Sequence, residues 1–258
     1  LVANKRLEVA DACDEQFEKL MALRVQISAN AGFKDYREFK HVSKGRFDYQ
    51  PDDCFKFHEA VETLVMPLYN QLLAERREQM KLDSLRPWDT GVDPMGRAPL
   101  KPFTDVDDMV ARTKNIFNHV DDELAGGFQT MRDHKLLDLA NRKGKAPGGY
   151  QSSLPEARLP FIFMNAVGLQ RDVETLLHEA GHAFHTLAAQ KEDIHHYQHA
   201  PLEFCEVASM SMELIGNEHL EEFYGEEEAA RARREHLEGI ITIFPWIATV
   251  DAFQHWIY

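Results

Sequence analysis

The chain has 258 residues, 44% of them hydrophobic and 28% charged, with a net charge of −14. That length suffices for one large core or two small ones, and the acidic balance argues against a nucleic-acid partner, whose phosphates want a basic stripe. Cys13, Cys54 and Cys205 form neither a disulfide framework nor a CxxC pair, no apolar run reaches the roughly 18 residues of a membrane span, and no basic-then-apolar leader heads the chain, so a cytoplasmic location with no membrane partner is expected.

In chain order, residues 5–31 read as an amphipathic helix, with Leu7, Ala10, Phe17, Leu20, Met21 and Leu23 among its apolar positions, and GFKDYREF breaks it. A long helix follows over 53–81, with Pro67 expected to kink it. The Pro- and Gly-rich stretch RPWDTGVDPMGRAPLKP (86–102) reads as an ordered connector. Thr104 is the expected N-cap of a helix over 105–118, and another helix covers 120–133, weakened by Gly126 and Gly127. Three strand candidates come next, at 134–141, 148–154 and 158–165, separated by the turn residues RKGKAPGG and PEA. Helices resume over 172–190, 203–216 and 226–258. The first residue is Leu1 rather than Met, and WIATVDAFQHWIY at the end carries no helix stop signal, so a fragment cut at both ends is expected. The expected fold is mainly α with a small sheet feeding the 172–190 helix. Residues 1–258 are read as one incomplete region, with 1–103 a helical portion and connector and 104–258 the portion that carries the chemistry.

That chemistry sits in LLHEAGHAFHTL (176–187). On a helical wheel Val173, Leu176, Leu177, Ala180, Phe184, Leu187 and Ala188 share a core face, while His178, His182, His185 and Glu174 lie opposite. His178 and His182 are one turn apart and project the same way, a spacing that grips one tetrahedral Zn²⁺. Glu179 falls beside the metal rather than on it, where a base acting on water belongs. Ala180 and Gly181 leave a bare helix surface, and the preceding strands are the expected neighbour. A catalytic zinc typically takes a third protein ligand. By periodicity Glu203, Glu206 and Glu213 all share a face of the next helix, and any of them reaches. His185 is a rival from the same helix, poorly placed for a tetrahedron. Cys205 points elsewhere. A structural or packing role suits His185 and Glu174 better. HHYQH (195–199) reads as a polar surface loop and KGKAPGG as a turn rather than a nucleotide loop.

HEAGHAFH followed by EFCEVASMSMEL resembles the oligoendopeptidase F and thimet oligopeptidase family of zinc metallopeptidases. RPWD, NRKGKAPGGYQ, PFIFMN and ATVDAFQHW extend the likeness toward the oligoendopeptidase F branch over nearly the whole chain. The resemblance implies a zincin-like, mainly α catalytic region with a small β-sheet beside the HExxH helix. It implies one Zn²⁺ per chain held by His178, His182 and Glu206, which selects Glu206 where spacing left three glutamates open. It also implies a zinc-dependent endopeptidase hydrolysing short peptides, with a zinc-bound water attacking and Glu179 as general base. The family carries oxyanion-stabilising His and Tyr residues further downstream, and the expectation is that this segment is missing here. The rival readings are a non-catalytic zinc-binding helical domain and a metal-free helical interaction module.

Overall fold

The computed structural model describes residues 2–258. These pack as two units, one built from the stretch up to Tyr69 together with Ile241–Tyr258, the other from Asn70–Ile240.

The first unit is helical. Helices α1 (Val2–Leu7) and α2 (Ala10–Asn30) replace the single expected helix. GFKDYREF does more than interrupt: Asp35 accepts from the Glu38 N–H at 2.8 Å and caps a short helix, α3 (Tyr36–Ser43). Helix α4 (Pro51–Ala60) begins at Pro51, where a missing N–H costs nothing, and Asp53 accepts from the Gln50 N–H at 3.0 Å. The ladder then widens into a π-type turn at Val61–Val65 before α5 (Met66–Gln79). Pro67 has no N–H to donate back to the preceding turn, and the widened turn takes up the mismatch expected as a kink.

The second unit holds the sheet and the main core. Asp105, not Thr104, caps α6 (Val106–Val120), its carboxylate accepting from the N–H groups of Asp107 at 2.7 Å and Asp108 at 3.4 Å. A carboxylate at a helix N-terminus adds charge–dipole attraction to the hydrogen bond, which a threonine hydroxyl lacks. Asp121 does the same for α7 (Asp122–Asp133). Gly126 and Gly127 do not break α7. A Cβ at Gly127 would meet Leu187 Cδ1 at 2.9 Å, so the glycine allows a close packing contact.

The strands are β1 (Leu137–Ala140), β2 (Tyr150–Leu154) and β3 (Leu159–Ala166), in spatial order β1-β3-β2, with β1 parallel and β2 antiparallel to β3. The 134–141 candidate is shortened because Lys135 turns through φ 57° and the Leu136 N–H bonds back to Met131. Burial alternates along β3, so Pro160, Ile162, Met164 and Ala166 face the core. The KGKAPGG turn has a structural task. Lys145 Nζ reaches under the sheet to the backbone oxygens of Asp138, Ala140 and Met164 and sits 4.4 Å from the centre of the Phe163 ring.

A tight turn carries β3 into α8 (Gln170–Ala189). Gly168 adopts φ 91° there, and the buried Asp172 carboxylate gathers the N–H groups of Val167, Gly168 and Leu169 at 2.8–2.9 Å. Helices α9 (Cys205–Asn217) and α10 (Glu226–Ile257) follow. Helix α8 packs on β2, β3 and α9, with Val173, Leu176, Leu177, Ala180 and Phe184 in the core as the wheel placed them, while Ala188 is exposed. The Phe117 ring meets Phe128 and Phe184 edge-on at 5.0 and 4.9 Å. Among the described residues no helix is long and apolar enough to cross a membrane.

Candidate metal centre

His178 and His182 extend from one face of α8, their ring centroids 4.9 Å apart and the planes at 83°. Glu206, in the first turn of α9, closes on both. Its Oε2 lies 3.1 Å from His178 Nε2 and 3.5 Å from His182 Nε2. One ligand atom from each of the three residues falls within 4.8 Å of the others. Two imidazoles and a carboxylate in that span match the chemistry and size of a three-ligand zinc site.

What brings α9 this close is Gly181, though its neighbour is not the strands. A Cβ at Gly181 would lie 2.6 Å from Ala208 O and 2.6 Å from Ser209 Cα, so the backbone of α9 occupies the space that the missing side chain leaves. Helices α8 and α9 therefore touch at backbone distance next to His182, and Glu206, in the same helical turn as Ala208 and Ser209, is brought to the imidazoles.

The glutamates that periodicity could not separate take different places. Glu206 faces the two imidazoles. Glu213 lies on the far side of His178, its Oε1 2.6 Å from His178 Nδ1. Glu203 sits in the exposed turn Leu202–Phe204 ahead of α9. His185 and Cys205 are not part of the trio. Ser209, fully buried, donates to the Glu206 carboxylate at 2.8 Å. The E-x-x-S spacing was the only sequence signal for it.

Glu179 is buried, and burial pushes its pKa up, opposed by the charge of His178 and the backbone N–H of Gln151. That backbone belongs to β2, the strand on one edge of the sheet. Burial pulls the His182 pKa down, favouring the neutral imidazole that a metal takes. For His178 burial acts in the same sense, but the Glu213 hydrogen bond, with the charges of Glu213, Glu179 and Glu206, outweighs it and raises the pKa. Glu213 itself is held at about 2: burial would raise it, and hydrogen bonds from His178 and His236 prevail. Burial raises Glu174, which accepts from Gln170 at 3.3 Å.

His236 on α10 is a residue that sequence reasoning passed over. It lies in a charged run, ARREHLE, but also on a buried stripe with Ala229 and Ala232, and that stripe was the available signal.

A second trio, Cys54, Asp251 and His255, lies in the first unit. There the Arg37 guanidinium is 3.5 Å from His255 Nδ1, which leaves His255 Nε2 as the protonated nitrogen, 3.3 Å from Asp251 Oδ2. His58 Nε2 takes the same carboxylate oxygen at 2.8 Å. The Asp251 carboxylate is thus engaged by two imidazoles, His58 and His255. The 195–199 segment is an exposed turn whose histidines join neither trio.

Residues 4–258 match Peptidase family M3. Oligopeptidase PepF of Bacillus subtilis (strain 168) is 25% identical over 156 residues, 60% of this chain and 23% of that protein. The chromosomal oligoendopeptidase F of Lactococcus lactis subsp. cremoris is 22% identical over 155 residues, again 60% of this chain and 25% of the relative. Among solved structures, PZ peptidase A with an inhibitor superposes with a TM-score of 0.92 at 32% identity, over 98% of this chain and 45% of that one. The chain thus spans about a quarter of the curated relatives and under half of the solved structure it matches.

Proposed function

The chain belongs to peptidase family M3, and from that premise we propose that it carries the metal half of a zinc-dependent oligopeptidase that cleaves short peptides. The observation behind the reading is the meeting of His178 and His182 from α8 with Glu206 from α9 around one point, with Glu179 buried on α8 beside the two histidines. One zinc ion per chain, held by those three residues, would supply Lewis-acid polarisation of the scissile carbonyl and a lowered pKa for water.

Glu179 is the general base. Its raised pKa suits a carboxylate that takes a proton from the attacking water and passes it to the leaving amine, a role typically worth 10² to 10⁴ in rate. Strand β2 offers its open edge to an extended peptide, which would add as a further strand while the alternation of side chains selects sequence. The backbone link from Gln151 to Glu179 sets that edge and the base in one frame. A cytoplasmic protein acting on peptides, with no nucleic-acid or membrane partner, completes the reading. In this reading 104–258 carries the chemistry and 1–103 is a helical portion and connector.

The test is cleavage of quenched fluorescent peptides by the full-length protein, as purified, after chelation and after zinc is restored. Activity should vanish and return. Glu179→Gln should keep zinc and lose turnover by at least 100-fold. Cleavage at the wild-type rate by that variant would remove Glu179 from the mechanism.

A further inference from the structure

We propose that His236 is a positioning residue for the candidate metal centre: through Glu213 it fixes the ring orientation and proton placement of His178. The inference rests on the reading of His178 as a zinc ligand.

Four side chains from three helices form one line. His178 Nδ1 on α8 meets Glu213 Oε1 on α9 at 2.6 Å. The other carboxylate oxygen, Oε2, meets His236 Nε2 on α10 at 2.6 Å. His236 Nδ1 meets Asn217 Nδ2 at the end of α9 at 2.7 Å, within the buried interior. Glu213 is 16% exposed and His236 8%, so water does not compete strongly for these bonds.

The chemistry gives the line one direction. A carboxylate only accepts, so both imidazoles must donate to it. His178 therefore carries its proton on Nδ1, which leaves the Nε2 lone pair toward His182 and Glu206. That is the tautomer a metal ligand needs. A carboxylate with a single partner would be free to rotate about its terminal torsion. The second bond, from His236, removes that freedom, because each oxygen now has its own donor. His236 donates from Nε2 whether neutral or charged, so the arrangement does not depend on its titration. Asn217 orients the His236 ring in turn. The two short carboxylate bonds are charge-assisted and among the shortest in the protein, as a fully engaged acceptor requires.

A purely structural role is the competing account, since the same residues join α8, α9 and α10. The two accounts separate at the metal. In the full-length protein, zinc affinity is measured by competition with a chromophoric chelator, and Co²⁺ substitution is followed by its visible absorption. His236→Leu removes the donor to Glu213 and is expected to weaken zinc binding 10- to 100-fold and to change the cobalt spectrum. His236→Gln carries an amide N–H to the same place and is expected to restore affinity to within about threefold. The metal-free proteins are compared by thermal unfolding, so that a loss of stability is not read as a loss of positioning. If His236→Leu does not fold, Glu213→Gln carries the test. It keeps the volume but sets an amide N–H against one imidazole donor, and the same loss of affinity is expected. Wild-type zinc affinity and cobalt spectrum in His236→Leu, or wild-type affinity in Glu213→Gln, would overturn the proposal. So would equal weakening by His236→Leu and His236→Gln. Should wild type bind no zinc, or bind it as well after His178→Ala, the metal-centre reading itself falls and the proposal falls with it.

Discussion

Two glycines in helix interiors make a controlled comparison. Replacing glycine by alanine inside a helix gains roughly 0.5–1 kcal/mol by reducing backbone freedom in the unfolded chain. At Gly126 on α7 nothing lies within 4 Å of the new methyl, so Gly126→Ala should realise that gain in full. At Gly181 the same methyl would lie 2.6 Å from Ala208 O, 2.6 Å from Ser209 Cα and 2.9 Å from Ala208 C. Carbon contacts are optimal near 3.5–4.0 Å, so α9 must retreat by about 1 Å. Overpacking of this kind costs about 1–3 kcal/mol, which exceeds the helix gain. Gly181→Ala should therefore be net destabilised, by up to about 2.5 kcal/mol. The same chemical change has opposite signs at two positions of one protein.

The retreat also has a chemical readout. Ala208 and Ser209 share a helical turn with Glu206, so moving their backbone moves the carboxylate that sits 3.1 and 3.5 Å from the two imidazoles. A displacement near 1 Å costs on the order of 10²-fold in the rate of a positioned site, and zinc affinity should fall as the Glu206 carboxylate moves off the imidazoles. The assay pairs denaturant unfolding of both metal-free variants with zinc titration. If Gly181→Ala unfolds at the same midpoint as Gly126→Ala and binds zinc like wild type, the close approach of α8 and α9 is not what delivers Glu206.

Three further outcomes are expected. Ser209→Ala removes the hydroxyl that donates to Glu206 at 2.8 Å, and zinc affinity should fall by about 10-fold with little change in fold; unchanged affinity would deny Ser209 that role. Lys145→Met keeps the stem but leaves the backbone oxygens of Asp138, Ala140 and Met164 without their shared donor, and denaturant unfolding should report a loss of about 3 kcal/mol. Asp138 is held at about 2 chiefly by its Arg142 hydrogen bonds, against burial and with help from Lys145. Its folded pKa lies below the ordinary value of 3.8, so its contribution is present in full above that value and is lost as pH falls toward 2. Asp138→Asn should flatten the pH dependence of Tm over that window, and an unaltered slope would assign the acid sensitivity elsewhere.

The sequence carries local chemistry well and crossings between helices poorly. His178, Glu179 and His182 are legible because a spacing of four residues on one helix is a property of the chain itself. Thr104 and Asp105 are adjacent cap candidates, and only the hydrogen bonds to Asp107 and Asp108 separate them. The strands are legible from the turn residues that separate them, yet their order β1-β3-β2 involves a parallel pairing that no hairpin signal announces. Gly181 reads as a point of close approach, which it is, but to α9 rather than to the sheet. Periodicity put Glu206 and Glu213 on one face and could go no further, because the two differ only in which side of His178 they reach. That difference is made by the crossing of α8 and α9, and Gly181 sets how near the crossing comes. His236 needs one more step, the packing of the Ala229–Ala232 stripe of α10. A charged run such as ARREHLE reads as solvated until that stripe is seen to be buried. The candidate ligands His178 and His182 are thus encoded within one helix, while the groups that would orient them are encoded only in how three helices meet.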